Sequence, residues 1–430
     1  MKTKTPSWVF LFLSVHKFTI PDVKSSTLMT SMHIGRFQNL CDPDTSNIKF
    51  WYIYLIAVVY MYHSMLVSYS SSSYLEQFVT PGAIGFIYSG ASVLSVIVFL
   101  LLPTLLNRIG NVFVTLFMMG GSLIALGFLG LGLNVPITVM SFIAFMTLSP
   151  LLYLNIDIFS ETLIGKHEGN TGHKRGLALA LMSGIALLAP LTISLVVDGG
   201  NNLAQLYTLS MIAGVAFMVI IVATFRHFCD PVYEHLKLKR VFSIAWQNKN
   251  IRTVMAAHFL LQLFFTWSMI YIPLYLSTVV HLSWSAIGVI IAAGLFGYLV
   301  CEYPIGVLAD NYWGEKEMMA IGFLILSLSI AGLSAFPYPI VWVWMVLMFV
   351  TRIGASLVEV TTETYFFKKV DGEDAQLMSL FRLLRPLATV FGALLGSLAL
   401  LVLPFQLIFL VFALVLSVGI FITDFLVDTK

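Results

Sequence analysis

Between Arg108 and Asp157 the chain runs through 48 consecutive residues without an Asp, Glu, Lys or Arg. A helix that crosses a hydrocarbon layer of about 30 Å at 1.5 Å per residue needs about 20 apolar residues. The interval therefore holds two crossings, with a turn at Leu133-Asn134-Val135-Pro136. The same measure gives one crossing each to Lys49–Glu76, Glu76–Arg108, Arg175–Asp198 and Asp198–Arg226, which makes six. Six more follow a polar stretch from Arg226 to Arg252. They run from Arg252 to about Val279, over Ser283–Ala309 and Glu317–Pro337, from Pro339 to about Glu363, and over Gln376–Leu401 and Phe405–Phe425. Composition agrees with an all-α membrane protein of twelve spans. With 59% hydrophobic and 10% charged residues, the chain lies far from a soluble domain, where about a quarter of residues are charged.

The net charge of +2 carries no implication for nucleic acid, because in a membrane protein the distribution of cations over the loops is what matters. Twenty of the 23 Lys and Arg fall outside spans, all on the face that holds the termini and the Arg226–Arg252 stretch. That face is expected to be cytoplasmic, in a multi-pass protein of the cell membrane. The exceptions, Arg352, Arg382 and Arg385, sit in the tenth and eleventh spans. Cys41, Cys229 and Cys301 have no metal-ligand spacing and imply no disulfide framework. No phosphate loop or nucleophile motif is present, so neither an enzyme nor ATP-driven transport is indicated, and no cofactor is expected.

A weak pattern occurs twice at an offset of about 200 residues. Tyr74-Leu75 followed by Ala83-Ile84-Gly85 returns as Tyr275-Leu276 followed by Ala286-Ile287-Gly288. Pro103-x3-Asn107-Arg108-x-Gly110 returns as Gly306-x3-Asp310-Asn311-x2-Gly314, and Asp157-x3-Glu161-Thr162 as Glu359-x3-Glu363-Thr364. Three landmarks in one order argue for a duplicated unit. The expected organisation is a tail over 1–49, a six-helix half over 50–225, a basic linker over 226–251 and a second half over 252–430.

Two parallel six-helix halves joined by a basic loop resemble the major facilitator superfamily. The specific part is the loop after the second span of each half, where that family carries Gly-x3-Asp-Arg/Lys-x-Gly-Arg/Lys-Arg/Lys. The second copy keeps Gly306, Asp310, a displaced Gly314 and Lys316. The first keeps Arg108 and Gly110 but has Pro103 for Gly and Asn107 for Asp. In such a turn a Gly reverses the chain, and an Asp beside it receives helix N-terminal N–H groups and a neighbouring Arg. The resemblance implies alternating access by a monomeric secondary transporter of a small solute, coupled to an ion or proton gradient. A transporter-shaped receptor or scaffold is the alternative, favoured by the degenerate first loop.

The resemblance also implies that the first, fourth, seventh and tenth spans line a central cavity, and polar residues concentrate in those four. Arg352 lies about 13 residues, roughly 20 Å, into the tenth span. It is the expected anchor for a substrate, because a cation at that depth costs several kcal/mol unless paired or wet; a helix-packing arginine tied to backbone carbonyls is the alternative. His63 with Tyr60 in the first span, Tyr153 and Asn155 in the fourth, and Gln262, Trp267 and Tyr271 in the seventh complete the candidate lining. Arg108, Asp157, Gly306, Asp310, Gly314, Glu359 and Arg385 are the candidates for gating or coupling. A salt-bridge network at the rim is the competing role for Glu359, Arg382 and Arg385.

The first 49 residues hold no copy of the repeat. Their apolar run Trp8–Val15 is too short to span and has no cleavage site after it. An interfacial or disordered tail, or a translation start at Met29 or Met32, accounts for them. A chain beginning at Met32 is expected to insert and to elute as one species in size-exclusion chromatography. Its aggregation would place the tail in the fold.

Overall fold

In the computed structural model residues 48–164, 171–197, 203–231, 233, 237–311, 314–370 and 375–426 are described. The N-terminal tail lies outside them. The first half comprises α1 (Trp51–Ser68), the short α2 (Ser71–Glu76), α3 (Pro81–Leu131), α4 (Val135–Ile164), α5 (Thr171–Val196) and α6 (Ala204–Thr224). The linker contains α7 (Leu238–Gln247). The second half comprises α8 (Lys249–Thr278), α9 (Trp284–Asn311), α10 (Glu315–Ala335), α11 (Val341–Lys369), α12 (Ala375–Val402) and α13 (Ile408–Thr423).

Ten helices among the described residues are long and apolar enough to cross a membrane. The expected twelve is reached by counting the two arms of α3 separately and including the shorter apolar segment Ala180–Val196 of α5. In α3, 51 residues long, the one residue with non-helical torsions is Gly110, at φ 78° and ψ 160°. The expected interhelical turn is thus reduced to a single glycine, because that quadrant of backbone space is open essentially to glycine alone. At its far end α3 closes on Gly132, a left-handed C-cap. Asn134 then starts α4 by accepting the Ile137 N–H at 3.0 Å.

Large apolar side chains such as Phe113, Phe117, Leu195 and Val402 are exposed around the outside of the bundle, as a lipid-facing surface requires. Inside, the halves meet through α3 against α12, α5 against α9 and α2 against α8. One apolar core crosses between the halves at the face opposite the linker and continues through the second half to Val241 and Ala245 near the linker face. It joins Leu66, Ile84, Ala189 and Ile193 of the first half to Trp267, Tyr271, Ile287 and Ala393 of the second. Toward the linker face the first half keeps a separate core, which includes Ile53, Tyr60, Leu152, Phe159 and Phe225. The packing between halves is therefore continuous at one face and divided at the other.

The duplicated glycines explain the closed face. A Cβ on Gly85 of α3 would collide with the Ala393 carbonyl oxygen of α12 and the Tyr271 hydroxyl of α8. A Cβ on Gly288 of α9 would collide with the Pro190 carbonyl oxygen and the Ser194 amide of α5. Each half thus offers one bare backbone patch to the other, at equivalent places in the repeat. Serine pairs tie the same face: Ser73 and Ser277 hydroxyls lie 3.1 Å apart, and Ser194 and Ser285 exchange hydroxyl-to-carbonyl bonds at 2.8 and 3.0 Å. Overpacking of this kind costs about 1–3 kcal/mol. Gly85→Ala combined with Gly288→Ala is therefore expected to slow disulfide formation between cysteines placed at Ser73 and Ser277 by about tenfold, without loss of helical circular dichroism.

Candidate functional site

Polar groups inside the bundle fall into two sets. The first set bonds within one half, with Arg352 Nε, His63 Nε2 and Asn155 Oδ1 left over. Arg352 of α11 is 2% exposed; its Nη2 donates to Ser268 Oγ of α8 at 2.6 Å, and its guanidinium stands over the Phe264 and Phe265 rings at 5.3 and 5.9 Å. A hydroxyl and two aromatic faces, rather than a carboxylate, compensate this buried cation. His63 of α1 is fully buried, with Nδ1 2.7 Å from the Ser210 carbonyl oxygen of α6 and 3.0 Å from its hydroxyl. The main-chain carbonyl of Asn155 of α4 accepts the Asn111 side-chain amide at 2.9 Å, while Asn155 Oδ1 stays buried without a partner. Trp267 of α8 donates to the Gly392 carbonyl oxygen at 2.8 Å and stacks on Phe412 at 4.1 Å, and Tyr271 donates to the Ala393 carbonyl oxygen at 2.6 Å.

The second set lies between the halves on the linker side, some seven to thirteen residues, roughly 10–20 Å, from that end of each helix. Asp157 of α4 and Arg382 of α12 form an ion pair across the gap at 3.2 Å, with side chains 20% and 26% exposed. Arg385 of α12 is exposed and lies within electrostatic reach of Tyr153 of α4, His258 of α8 and Glu359 of α11. Gln262 Nε2 meets His258 Nε2 at 3.2 Å, leaving Gln262 Oε1 and His258 Nδ1 buried without partners, and the His258 ring stacks on Phe381 at 3.9 Å. Behind them Glu302 of α9 and Glu359 and Glu363 of α11 each keep one buried carboxylate oxygen without a partner. On the first-half wall a narrow crevice of about 20 Å³ is bordered by Ala57, Tyr60, Tyr153, Asp157 and Met182. Tyr60 and Tyr153 meet there edge to face at 4.7 Å, with Tyr60 donating to the Ser149 carbonyl oxygen at 2.5 Å.

His258 and Glu302 were not singled out from sequence. The signal was there: His258 is one helical turn before Gln262, and Glu302 is an uncompensated acid within an apolar interval. No group of three or more His, Cys, Asp or Glu among the described residues is disposed to hold a metal ion.

The two loop landmarks differ in what they hold. At Gly110 the second arm of α3 begins with unpaired N–H groups, and the carboxylate that satisfies one of them comes from the linker. Asp230 Oδ1 accepts the Asn111 N–H at 2.7 Å and the Tyr233 hydroxyl at 2.6 Å. Asn107 grips the same segment, donating to the Tyr233 carbonyl oxygen at 2.8 Å and accepting its N–H at 3.1 Å. The acid that position 107 lacks is thus supplied from 123 residues further on. Arg108 points to solvent. In the second copy Gly306 is buried and Gly314 starts α10, while the Asp310 side chain lies outside the described residues. Cys229, next to Asp230, is disulfide-bonded, which corrects the expectation of no disulfide.

Residues 254–429 match the model of the Major Facilitator Superfamily. No curated protein matches the chain in sequence. Among solved structures, the nucleoside transporter NupG superposes with a TM-score of 0.70 at 12% identity, covering 87% of this chain and 98% of that one. A mutant of the same transporter gives a TM-score of 0.68 at 14% identity with the same coverage.

The surroundings of Arg352 set a test of its role. Arg352→Ala strands Ser268 and leaves a void between two phenylalanines, so a melting temperature several degrees lower with solute binding intact is the expected result. Lost binding at an unchanged melting temperature would return Arg352 to the substrate path.

Proposed function

We propose that the chain is a member of the major facilitator superfamily, on the match of its second half and the likeness of its fold throughout, and that it is a secondary transporter moving a small organic solute by alternating access. The observation that carries this reading is the packing between halves: one continuous core with interlocked glycine backbones at one face, and separate cores linked by the Asp157–Arg382 pair at the other. A protein closed at one face and bridged at the other by the part-buried Asp157–Arg382 ion pair has the asymmetry that rocking about a midplane site requires. The rocking units are 50–225 and 252–430, with 226–251 as the hinge. The excess of Lys and Arg supports a cytoplasmic linker face.

Tyr153, Gln262, His258 and Arg385 are the residues we assign to the solute, with Tyr60 behind Tyr153. Asp157 with Arg382 forms the gate, and Glu359 with its neighbours Glu302 and Glu363 carries the coupling ion or proton. His63, Asn155, Trp267, Tyr271 and Arg352 position these walls from within each half. Hydroxyl, amide and imidazole groups beside aromatic rings suit a polar ring compound, and nucleosides, the solutes named for the NupG structures, head the panel of candidates.

Proteoliposomes loaded and assayed with nucleosides, sugars and small organic anions test the reading. Arg385→Gln is expected to reduce uptake of the active solute roughly tenfold to a hundredfold, the worth of a hydrogen bond to a charged group. Asp157→Arg combined with Arg382→Asp should recover most of what either change alone removes. Failure of the folded protein to move or bind any solute would favour a membrane receptor or scaffold.

A further inference from the structure

The linker carries a surface that the transport reading leaves unused. At 3.6 residues per turn α7 divides into three faces. Val241 and Ala245 are buried in the core shared with α8 and α12. Leu238, Phe242 and Trp246 form the adjoining face and are 37%, 57% and 57% exposed, the last two with rings stacked at 5.7 Å. Lys239, Arg240, Ser243 and Gln247 take the remainder.

Charge on this segment is of one sign. Between Lys237 and Arg252 there are five cations and no Asp or Glu. Lys237, Lys239 and Arg240 have no ion-pair partner among the described residues. The two remaining cations sit on aromatic rings: the Arg252 guanidinium lies 5.0 Å from the Trp246 ring centroid, and Lys249 Nζ lies 5.5 Å from that of Phe425, itself 58% exposed at the end of the chain's last span. Aromatic rings and cations thus form one belt around the foot of α8 and the end of α13.

We propose that α7 lies in the headgroup layer of the protein's own membrane and binds anionic lipid there, with Phe242 and Trp246 immersed and Lys237, Lys239 and Arg240 on lipid phosphates. Position argues for lipid over a soluble partner. A single residue, Asn248, joins α7 to α8, and its side chain caps α8 by accepting the Asn250 and Ile251 N–H groups at 3.0 and 3.2 Å. So tethered, the helix cannot leave the level at which α8 enters the bilayer. At that level Trp and Phe beside Lys and Arg find their favoured surroundings, and a helix with an apolar face and a basic polar face lies flat. The leaflet also supplies anions that no described residue offers these three cations, and each Lys or Arg near an anionic surface strengthens binding about fivefold.

The full-length protein in nanodiscs of phosphatidylcholine, or of an equal mixture with phosphatidylglycerol, tests both parts. Bromine on the acyl chain near the glycerol should quench Trp246, read as the fluorescence lost in Trp246→Phe. An unquenched Trp246 overturns the immersion. Phosphatidylglycerol should raise the melting temperature of the native chain, and the variant carrying Lys237→Gln, Lys239→Gln and Arg240→Gln should lose that rise while melting normally in phosphatidylcholine. A native melting temperature blind to lipid charge, or an equal rise in the variant, overturns the anionic preference.

Discussion

A peptide group in hydrocarbon has no water to bond, so each N–H and C=O must be paired inside its own helix or at a place where the chain supplies a partner. The interruptions follow this constraint. Gly110 breaks α3 where Asp230 waits for the freed N–H, and Asn248 separates α7 from α8 while its own side chain takes two amides. Six helices carry an internal proline, at Pro103, Pro150, Pro190, Pro273, Pro304 and Pro386, and remain continuous around it. With the backbone committed to itself, any chemistry between the halves has to be carried by side chains, and there are few of them.

Those side chains divide by whom they bond. Arg352, His63, Asn155, Trp267 and Tyr271 make their polar contacts with neighbours in the same half, although His63 Nε2, Asn155 Oδ1 and Arg352 Nε are left without a partner. Asp157, Arg382, Arg385, His258 and Gln262 lie where the halves face one another, and His258 Nδ1 and Gln262 Oε1 stay buried there with nothing to bond. An unsatisfied group in such a setting is costly, and the cost falls when a ligand, a proton or a movement of the halves provides a partner.

The spans were legible because charge and apolarity are properties of residues, and the duplicated landmarks because they are patterns of residues. What the glycines in those landmarks do was not legible: Gly85 and Gly288 matter for the backbone that approaches them from the other half, more than 90 residues away in each case. Depth along a helix could be counted for Arg352, but direction could not, and its rotation toward Phe264 and Phe265 decides its surroundings. The Asp230 cap was hidden because a turn was expected to carry its own acid. The helix α7 was hidden for a different reason: its cations dominate composition, so a polar hinge was expected, although Leu238, Val241, Phe242, Ala245 and Trp246 already fall on one side of a helix.

The one-residue break in α3 has a mechanical consequence. Loops between helices normally act as slack, absorbing the difference when one helix tilts and the next does not. A hinge of a single glycine, clamped on both sides by the Asn107–Tyr233 and Asn111–Asp230 bonds, stores almost no slack. A tilt of the first arm, which carries Gly85 to the interface, is passed to the second arm as torque, and through Asp230 it reaches the linker. The strut that seals one face of the bundle is therefore geared to the segment that connects the halves, so displacement at one end of the molecule is felt at the other without any loop having to refold.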